Sequence, residues 1–317
     1  MRDGSDGGSP QDPTPAVALG PPDAAAAFPG WDPSFQAALE RLSLVARRPA
    51  RGRYAGDARS RLRGRALEFA DYRPYVPGDD PRLVDWRTYA RLDRLYLKQY
   101  EEERARTLTL LVDASASLDW GEGEEHKGRY ARRLAAALAW VSLCRHEAVR
   151  SYLLRDGDAE PLPPTTTRSG AAALFRRLGV VREAGRTSLA AAVGNALRFR
   201  APGPTVLLSD LLDAAWVEAL ALLAGTGEGV VLQVLSPTEW EPPLGEEVEL
   251  EDAETGELRP TRLGPAELAA YKIRLADFVG QVRAVCRRHG LLYVALDTGT
   301  TLREAVLRRL TEAGVLE

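Results

Sequence analysis

The chain has 317 residues and a mass of 34.6 kDa, room for one large domain or two modest ones. With 45% hydrophobic and 27% charged residues it is neither collagen-like, nor a coiled coil, nor wholly disordered. A net charge of −3 excludes the global basic field of a dedicated DNA-binding protein, and two cysteines exclude a disulfide framework or a Cys-rich zinc site.

Residues 1–30 are rich in Pro and Gly and carry one aromatic, Phe28. They bury too little apolar surface to offset ordering entropy, so a disordered tail is expected. No basic stretch precedes an apolar run there, so a secretory signal is not expected and a cytoplasmic location is. Residues 35–45 read as a short amphipathic helix. Residues 47–65 hold eight arginines, among them Arg61, Arg63 and Arg65, against one acid, Asp57. Residues 66–103 carry aromatics and turn signals, including Pro77-Gly78, and residues 95–100 alternate like a strand. The expected organisation is a small unit over 31–103 followed by a larger domain over 104–317.

From residue 106 short apolar runs alternate with helical patterns. Strands are expected over 107–112, 149–154, 205–209, 229–235 and 291–296. Helices are expected over 127–145, 171–178, 188–199, 214–223, 266–289 and 302–310, with Ser188 as an N-cap. The runs TLTLLV, TVLLS and GVVLQVL have the continuous apolar character of strands covered on both faces. The fold class is therefore α/β, a doubly wound, mainly parallel sheet with a smaller N-terminal unit. Between residues 239 and 257 lie nine acids and no base, and this acidic stretch reads as an exposed hairpin.

In open parallel sheets, ligands bind outside the carboxyl ends of the strands. Asp113-Ala114-Ser115-Ala116-Ser117 follows the first strand of the large domain, and Asp210 follows the 205–209 strand. Gly185-Arg186-Thr187-Ser188 opens a helix between them. Two carboxylates and three hydroxyls thus converge, with no cysteine or histidine. Such an all-oxygen set suits Mg²⁺, with Mn²⁺ or Ca²⁺ as alternatives, over zinc or copper. For Asp113, Ser115 and Ser117 alone, the competing reading is ordinary turn chemistry after a strand.

Asp113-x-Ser115-x-Ser117, then Thr187, then Asp210, resembles the metal-ion-dependent adhesion site of von Willebrand factor A domains. The block Glu68-Phe69, Tyr72-Arg73-Pro74-Tyr75-Val76-Pro77-Gly78-Asp79-Asp80 and Asp85-Trp86, placed ahead of Asp113, resembles the bacterial "domain of unknown function 58" family. That resemblance implies a Rossmann-like von Willebrand A-type sheet and a non-enzymatic, metal-mediated protein-binding role. It implies that Asp113, Ser115, Ser117, Thr187 and Asp210 surround the metal. The open metal position would take an Asp or Glu of a partner, and a MoxR-type AAA+ ATPase is the partner implied. Arg186 would place a cation near the ion, Asp213 competes with Asp210, and both, with Arg61, Arg63 and Arg65, are expected partner contacts. Asp210 is favoured because it directly follows the strand, while Asp213 reads as a helix N-cap.

Two further functions are weighed against this one. A Mg²⁺-dependent phosphoester hydrolase could use Asp113, but the second aspartate usual two residues on is here Ser115. A nucleic-acid accessory protein could use the 47–65 arginines, which otherwise read as a solvated loop or a face for the acidic stretch. Tyr72, Tyr75, Trp86 and Tyr89 read as core of the N-terminal unit, and Cys144 and Cys286 as buried inert thiols.

Overall fold

Three uninterrupted apolar runs lie at the centre of the fold. The computed structural model describes residues 31–45, 67–76, 84–102, 106–186, 188–242, 245–251 and 257–317. The first elements are α1 (Pro33–Leu39), β1 (Leu67–Pro74), α2 (Trp86–Leu92) and β2 (Tyr96–Glu102). Then come β3 (Thr107–Asp113), α3 (Lys127–Cys144), β4 (Ala148–Arg155), β5 (Asp158–Pro161), α4 (Ala171–Gly179) and α5 (Leu189–Leu197). They are followed by β6 (Thr205–Ser209), α6 (Trp216–Ala224), β7 (Gly229–Leu235), α7 (Pro237–Trp240), β8 (Gly245–Glu251) and β9 (Leu258–Leu263). The chain closes with α8 (Pro265–His289), β10 (Leu292–Asp297) and α9 (Leu302–Glu304), continued by a π-helical stretch over Ala305–Leu310.

The main sheet has the order β10-β7-β6-β3-β4-β5. All its pairings are parallel except β4–β5. Alternate residues of the central strands feed two separate cores. Leu108, Leu110 and Val112 of β3 join Leu134 of α3 and Phe175 of α4 on one face. Leu111 joins Val193 of α5, Leu220 of α6 and Val282 of α8 on the other. This two-sided cover is why the strands carry no polar face.

Helix α3 is buried along nearly all its length. Its alanines, Ala131, Ala135, Ala136, Ala137 and Ala139, are all fully buried. A helix buried on nearly every side needs cover on nearly every side. Part of that cover comes from residues 31–45, which the sequence grouped with the small N-terminal unit. Trp31, Phe35, Leu39 and Leu44 belong to the same core as β3 and α3. The Trp31 ring meets Phe35 at 5.6 Å and Phe175 at 5.3 Å between centroids. The expected 35–45 helix stops at Leu39 because the chain beyond it pairs with the C-terminus. Ser43 N donates to Glu317 O at 2.8 Å, and Val45 N to Val315 O at 2.9 Å.

The remaining sheets are antiparallel pairs, β1 with β2 and β8 with β9. In the second, β8 lies in the acidic stretch and β9 directly follows it. The tip of that pair, the tail over 1–30 and the 47–65 arginines lie outside the described residues. Between β1 and β2, α2 starts from Asp85, whose carboxylate accepts from Arg87 N and Thr88 N. The expectation of an aromatic core here is corrected: Trp86 is 60% and Tyr89 40% exposed, and α2 has no buried residue. The two rings stack edge to face on each other instead. Cys144 and Cys286 are buried, and burial pushes their thiols up to about 11 and about 12, as expected of inert groups. Among the described residues no helix is long and apolar enough to cross a membrane.

If residues 31–45 are part of the main core, Phe35→Ala lowers the stability of the whole domain by about 3–5 kcal/mol. Urea unfolding followed by far-UV circular dichroism tests this. An unchanged midpoint would show that α1 is a separate appendage.

Candidate metal centre at the switch point

The chain leaves β3 toward β4 on one side and later returns to β6 on the other. The strand order therefore reverses between β3 and β6. Their carboxyl ends border the crevice where open α/β sheets place ligands. Asp113 ends β3 and Asp210 directly follows β6.

Asp113 is 2% exposed and both its carboxylate oxygens are bonded. Oδ1 accepts from Ser115 N at 3.0 Å and Ser115 Oγ at 2.7 Å. Oδ2 accepts from Ser209 Oγ of the neighbouring strand at 2.6 Å. Ser115 and Ser117 hydroxyls lie 3.1 Å apart. The D-x-S-x-S segment is thus a closed turn with its oxygens gathered on one side. Ordinary turn chemistry accounts for the Asp113–Ser115 bonds, but not for the Ser209 bond or the neighbouring Asp210.

The 184–186 loop is tied to the same turn. Ala184 N donates to Ala114 O at 3.0 Å, and Ala116 N to Gly185 O at 3.1 Å. Gly185 has φ +82°, and a Cβ there would stand 2.5 Å from the Asp156 carboxylate. Only glycine fits both conditions. Arg186 is exposed, and its backbone N donates to Asp156 Oδ1 at 2.8 Å. Thr187, Arg61, Arg63 and Arg65 lie outside the described residues.

Asp210 is fully buried. Its Oδ1 accepts from Leu212 N at 3.1 Å, and its main-chain O from Gln233 Nε2 at 2.9 Å. The next residue, Leu211, holds φ +61° while fully buried, a strained turn that packing must enforce. Asp213 is occupied elsewhere. Its Oδ2 accepts from Leu189 N at 3.1 Å and its Oδ1 from Ala215 N. Asp213 is indeed a capping residue, but it caps α5 across the loop. Ser188 holds the expected N-cap position of α5, but its side chain makes no cap bond and Asp213 supplies the acceptor instead. Ala215, not Asp213, holds the N-cap position of α6.

One residue of the site escaped the sequence reading. Lys127 is 1% exposed, and its Nζ donates to Asp210 Oδ2 at 2.7 Å and Glu239 Oε1 at 2.8 Å. Glu239 is fixed by a capping box: its Oε2 accepts from Ser236 N at 2.7 Å, and its own N donates to Ser236 Oγ. A signal was present. Lys127 is one of three lysines among 42 basic residues, and it stands at the first position of an 18-residue helix. A cation is disfavoured there by the helix dipole unless carboxylates face it.

Burial pulls the Lys127 ammonium down, but the charges of Asp210 and Glu239 outweigh it and raise its pKa. Burial, helped by the Asp210 charge, raises Asp113 to about 6, against the opposing hydroxyl and N–H bonds from Ser209 and Ser115. Nearby, Asp119, His126 and Glu183 also cluster. There His126 Nδ1 accepts from Arg129 N as the cap of α3, Nε2 meets Asp119, and Glu183 pairs with Arg132.

The donor chemistry fits a hard divalent cation. Asp113, Ser115, Ser117 and Asp210 offer oxygens only, and the two aspartates match a double charge. One Asp210 oxygen is already taken by Lys127.

Fold and site define an α/β protein with an oxygen-rich, buried site at the sheet's switch point. Residues 71–269 match the family described as "Protein of unknown function DUF58", and the chain belongs to that family. It is 31% identical over 241 residues to uncharacterized proteins of Mycobacterium bovis and Mycobacterium tuberculosis. The match spans 74% of this chain and 76% of each relative. Among solved structures it is similar to the conserved hypothetical protein BatB from Bacteroides thetaiotaomicron, with 18% identity and a TM-score of 0.41. That similarity covers 66% of this chain and 98% of BatB. An aerotolerance-related membrane protein from Bacteroides fragilis gives 14% identity and a TM-score of 0.37, over 65% of this chain and 99% of that one.

The raised Asp113 makes a signed prediction for metal-free protein. Its folded value of about 6 exceeds the ordinary 3.8, so its contribution is complete below the ordinary value and lost as pH rises through about 6. Asp113→Asn removes that loss. At about pH 8 in EDTA it should be more stable than wild type by an amount on the order of 2 kcal/mol, with little difference at about pH 4. Thermal melts at both pH values check this. Equal midpoints at the higher pH would mean that Asp113 titrates normally.

Proposed function

We propose that this chain is a non-enzymatic, metal-dependent protein-interaction module of the von Willebrand factor A type. One observation carries the reading: Asp113, Ser115 and Ser117 stand with Asp210 at the point where the strand order reverses. The sheet order and the tie between the 184–186 loop and Ala114 support it, because they bring the segment flanking Thr187 to the same edge.

In this reading Asp113, Ser115, Ser117, Thr187 and Asp210 hold Mg²⁺. When bound, the ion supplies an electrophilic position for an outside carboxylate. Ser209 and Ser115 orient Asp113, and the capping role of Asp213 keeps its carboxylate away from the ligand set. An Asp or Glu of a partner completes the coordination. The family resemblance points to a MoxR-type AAA+ ATPase as its source. The chain carries no P-loop of its own, so nucleotide chemistry would belong to that partner. The hydrolase alternative has less support, since Ser115 stands two residues after Asp113 and donates its hydroxyl to it.

The test is calorimetric titration of Mg²⁺ and Mn²⁺ into wild type and Asp113→Ala, followed by capture of a MoxR-type AAA+ ATPase with and without EDTA. Wild type should bind metal and Asp113→Ala should not. Capture should fail in EDTA and in the variant, while moderate salt weakens it less, because a buried ion is screened less than surface charges. Capture by Asp113→Ala at wild-type strength would sink the reading. Loss with salt but indifference to EDTA would move the interaction to the arginines over 47–65.

A further inference from the structure

Lys127 brings a full positive charge into the same ligand set. Its ammonium is buried, and it contacts one of the two carboxylates that the metal reading needs. The lysine stem starts at the first residue of α3, so the charge is tethered to the helix that packs beneath the sheet edge. The second carboxylate it contacts, Glu239, is not part of the D-x-S-x-S, Thr187 and Asp210 set. Glu239 is held in place by its own capping box and is the more exposed of the two, at 16% against 0% for Asp210.

We infer that Lys127 is a built-in competitor for the metal, a tethered cation that occupies Asp210 and yields it to a divalent ion by withdrawing onto Glu239. This inference rests on the metal reading above. Three features carry it. First, the ammonium and a divalent ion seek the same Asp210 carboxylate, and two cations within a few ångströms in a buried site repel strongly. Second, the lysine need not lose its charge or enter a bare apolar site on leaving Asp210, because Glu239 remains as a fixed partner. Third, without a metal the ammonium compensates a carboxylate that would otherwise be buried and unpaired. The lysine would thus keep the empty site folded while lowering its affinity. Metal loading and partner capture then become reversible events.

The experiment is calorimetric titration of Mg²⁺ into wild type, Lys127→Met and Lys127→Met combined with Asp113→Ala. The single variant should bind Mg²⁺ roughly tenfold or more tightly than wild type, since a repelling charge is gone. The double variant should not bind. In EDTA the single variant should melt earlier than wild type, and saturating Mg²⁺ should restore it. Binding by Lys127→Met alone, with wild type silent, also supports the competitor role. Wild-type binding with equal or weaker binding by Lys127→Met overturns it and leaves the metal reading intact. No binding by either overturns both.

A measurement on unaltered protein covers the case where Lys127→Met fails to fold. The chain has only Lys98, Lys127 and Lys272, so ¹⁵N-lysine labelling gives three ammonium signals, assigned through Lys98→Arg and Lys272→Arg. The Lys127 ammonium is buried and doubly bonded, so its protons should exchange slowly. Mg²⁺ should speed their exchange. If Mg²⁺ leaves that signal unchanged at every concentration the protein tolerates, the competitor role is wrong.

Discussion

Asp113 and Asp210 stand at the ends of adjacent strands, both out of water, and a site of low polarity does not hold two bare negative charges side by side. The structure around them answers that constraint. Hydroxyls of Ser115 and Ser209 and the Ser115 N–H surround Asp113. The Lys127 ammonium lies against Asp210, with Glu239 as its second partner. Asp113 is left with a raised proton affinity, the remaining mark of the unresolved charge. Removing one partner of such a buried pair typically costs about 3–5 kcal/mol, so these contacts weigh on folding as well as on ligand binding.

Several elements that look unrelated serve the same edge. The reversal of strand order brings β3 and β6 together and opens the crevice between their ends. The left-handed Leu211 turns the chain immediately after Asp210, and Gln233 of β7 bonds the Asp210 carbonyl from the next strand. Asp213 then reaches back to the first N–H of α5, fixing the start of the helix that follows Thr187. Glu239, in the short helix α7 beyond β7, completes the ion pairing. Lys127 therefore joins segments that follow β3, β6 and β7. A cation at that junction can couple ligand binding to the relative position of all three.

Much of this was legible in the sequence because it is local. Continuous apolar runs marked β3, β6 and β7, and helical spacing marked α3, α4 and α8, with ends close to those observed. Asp113, Ser115, Ser117 and Asp210 stood out because each follows a strand, where side chains face the ligand edge. What failed depended on distant partners. Trp86 and Tyr89 read as core from their size, yet α2 has no buried residue among the described residues. Sequence order alone groups residues 31–45 with the N-terminal unit, and that their cover is α3, α4 and the last residues of the chain is not legible there. Ser188 holds the N-cap position as expected, but Asp213, 24 residues beyond Leu189, bonds the first N–H of the helix.

The family shows the same division. The ordered block from Glu68 to Ser117 is linear text, and the family match over residues 71–269 overlaps most of it. By itself the sequence determined the α/β class, the family and the oxygen donors gathered at the strand ends, because periodicity and residue chemistry need no partner. Only the tertiary structure decided the charge state of that site. Lys127, Asp210 and Glu239 are separated by 83 and 112 residues, and their pairing exists only once three strand ends are brought side by side.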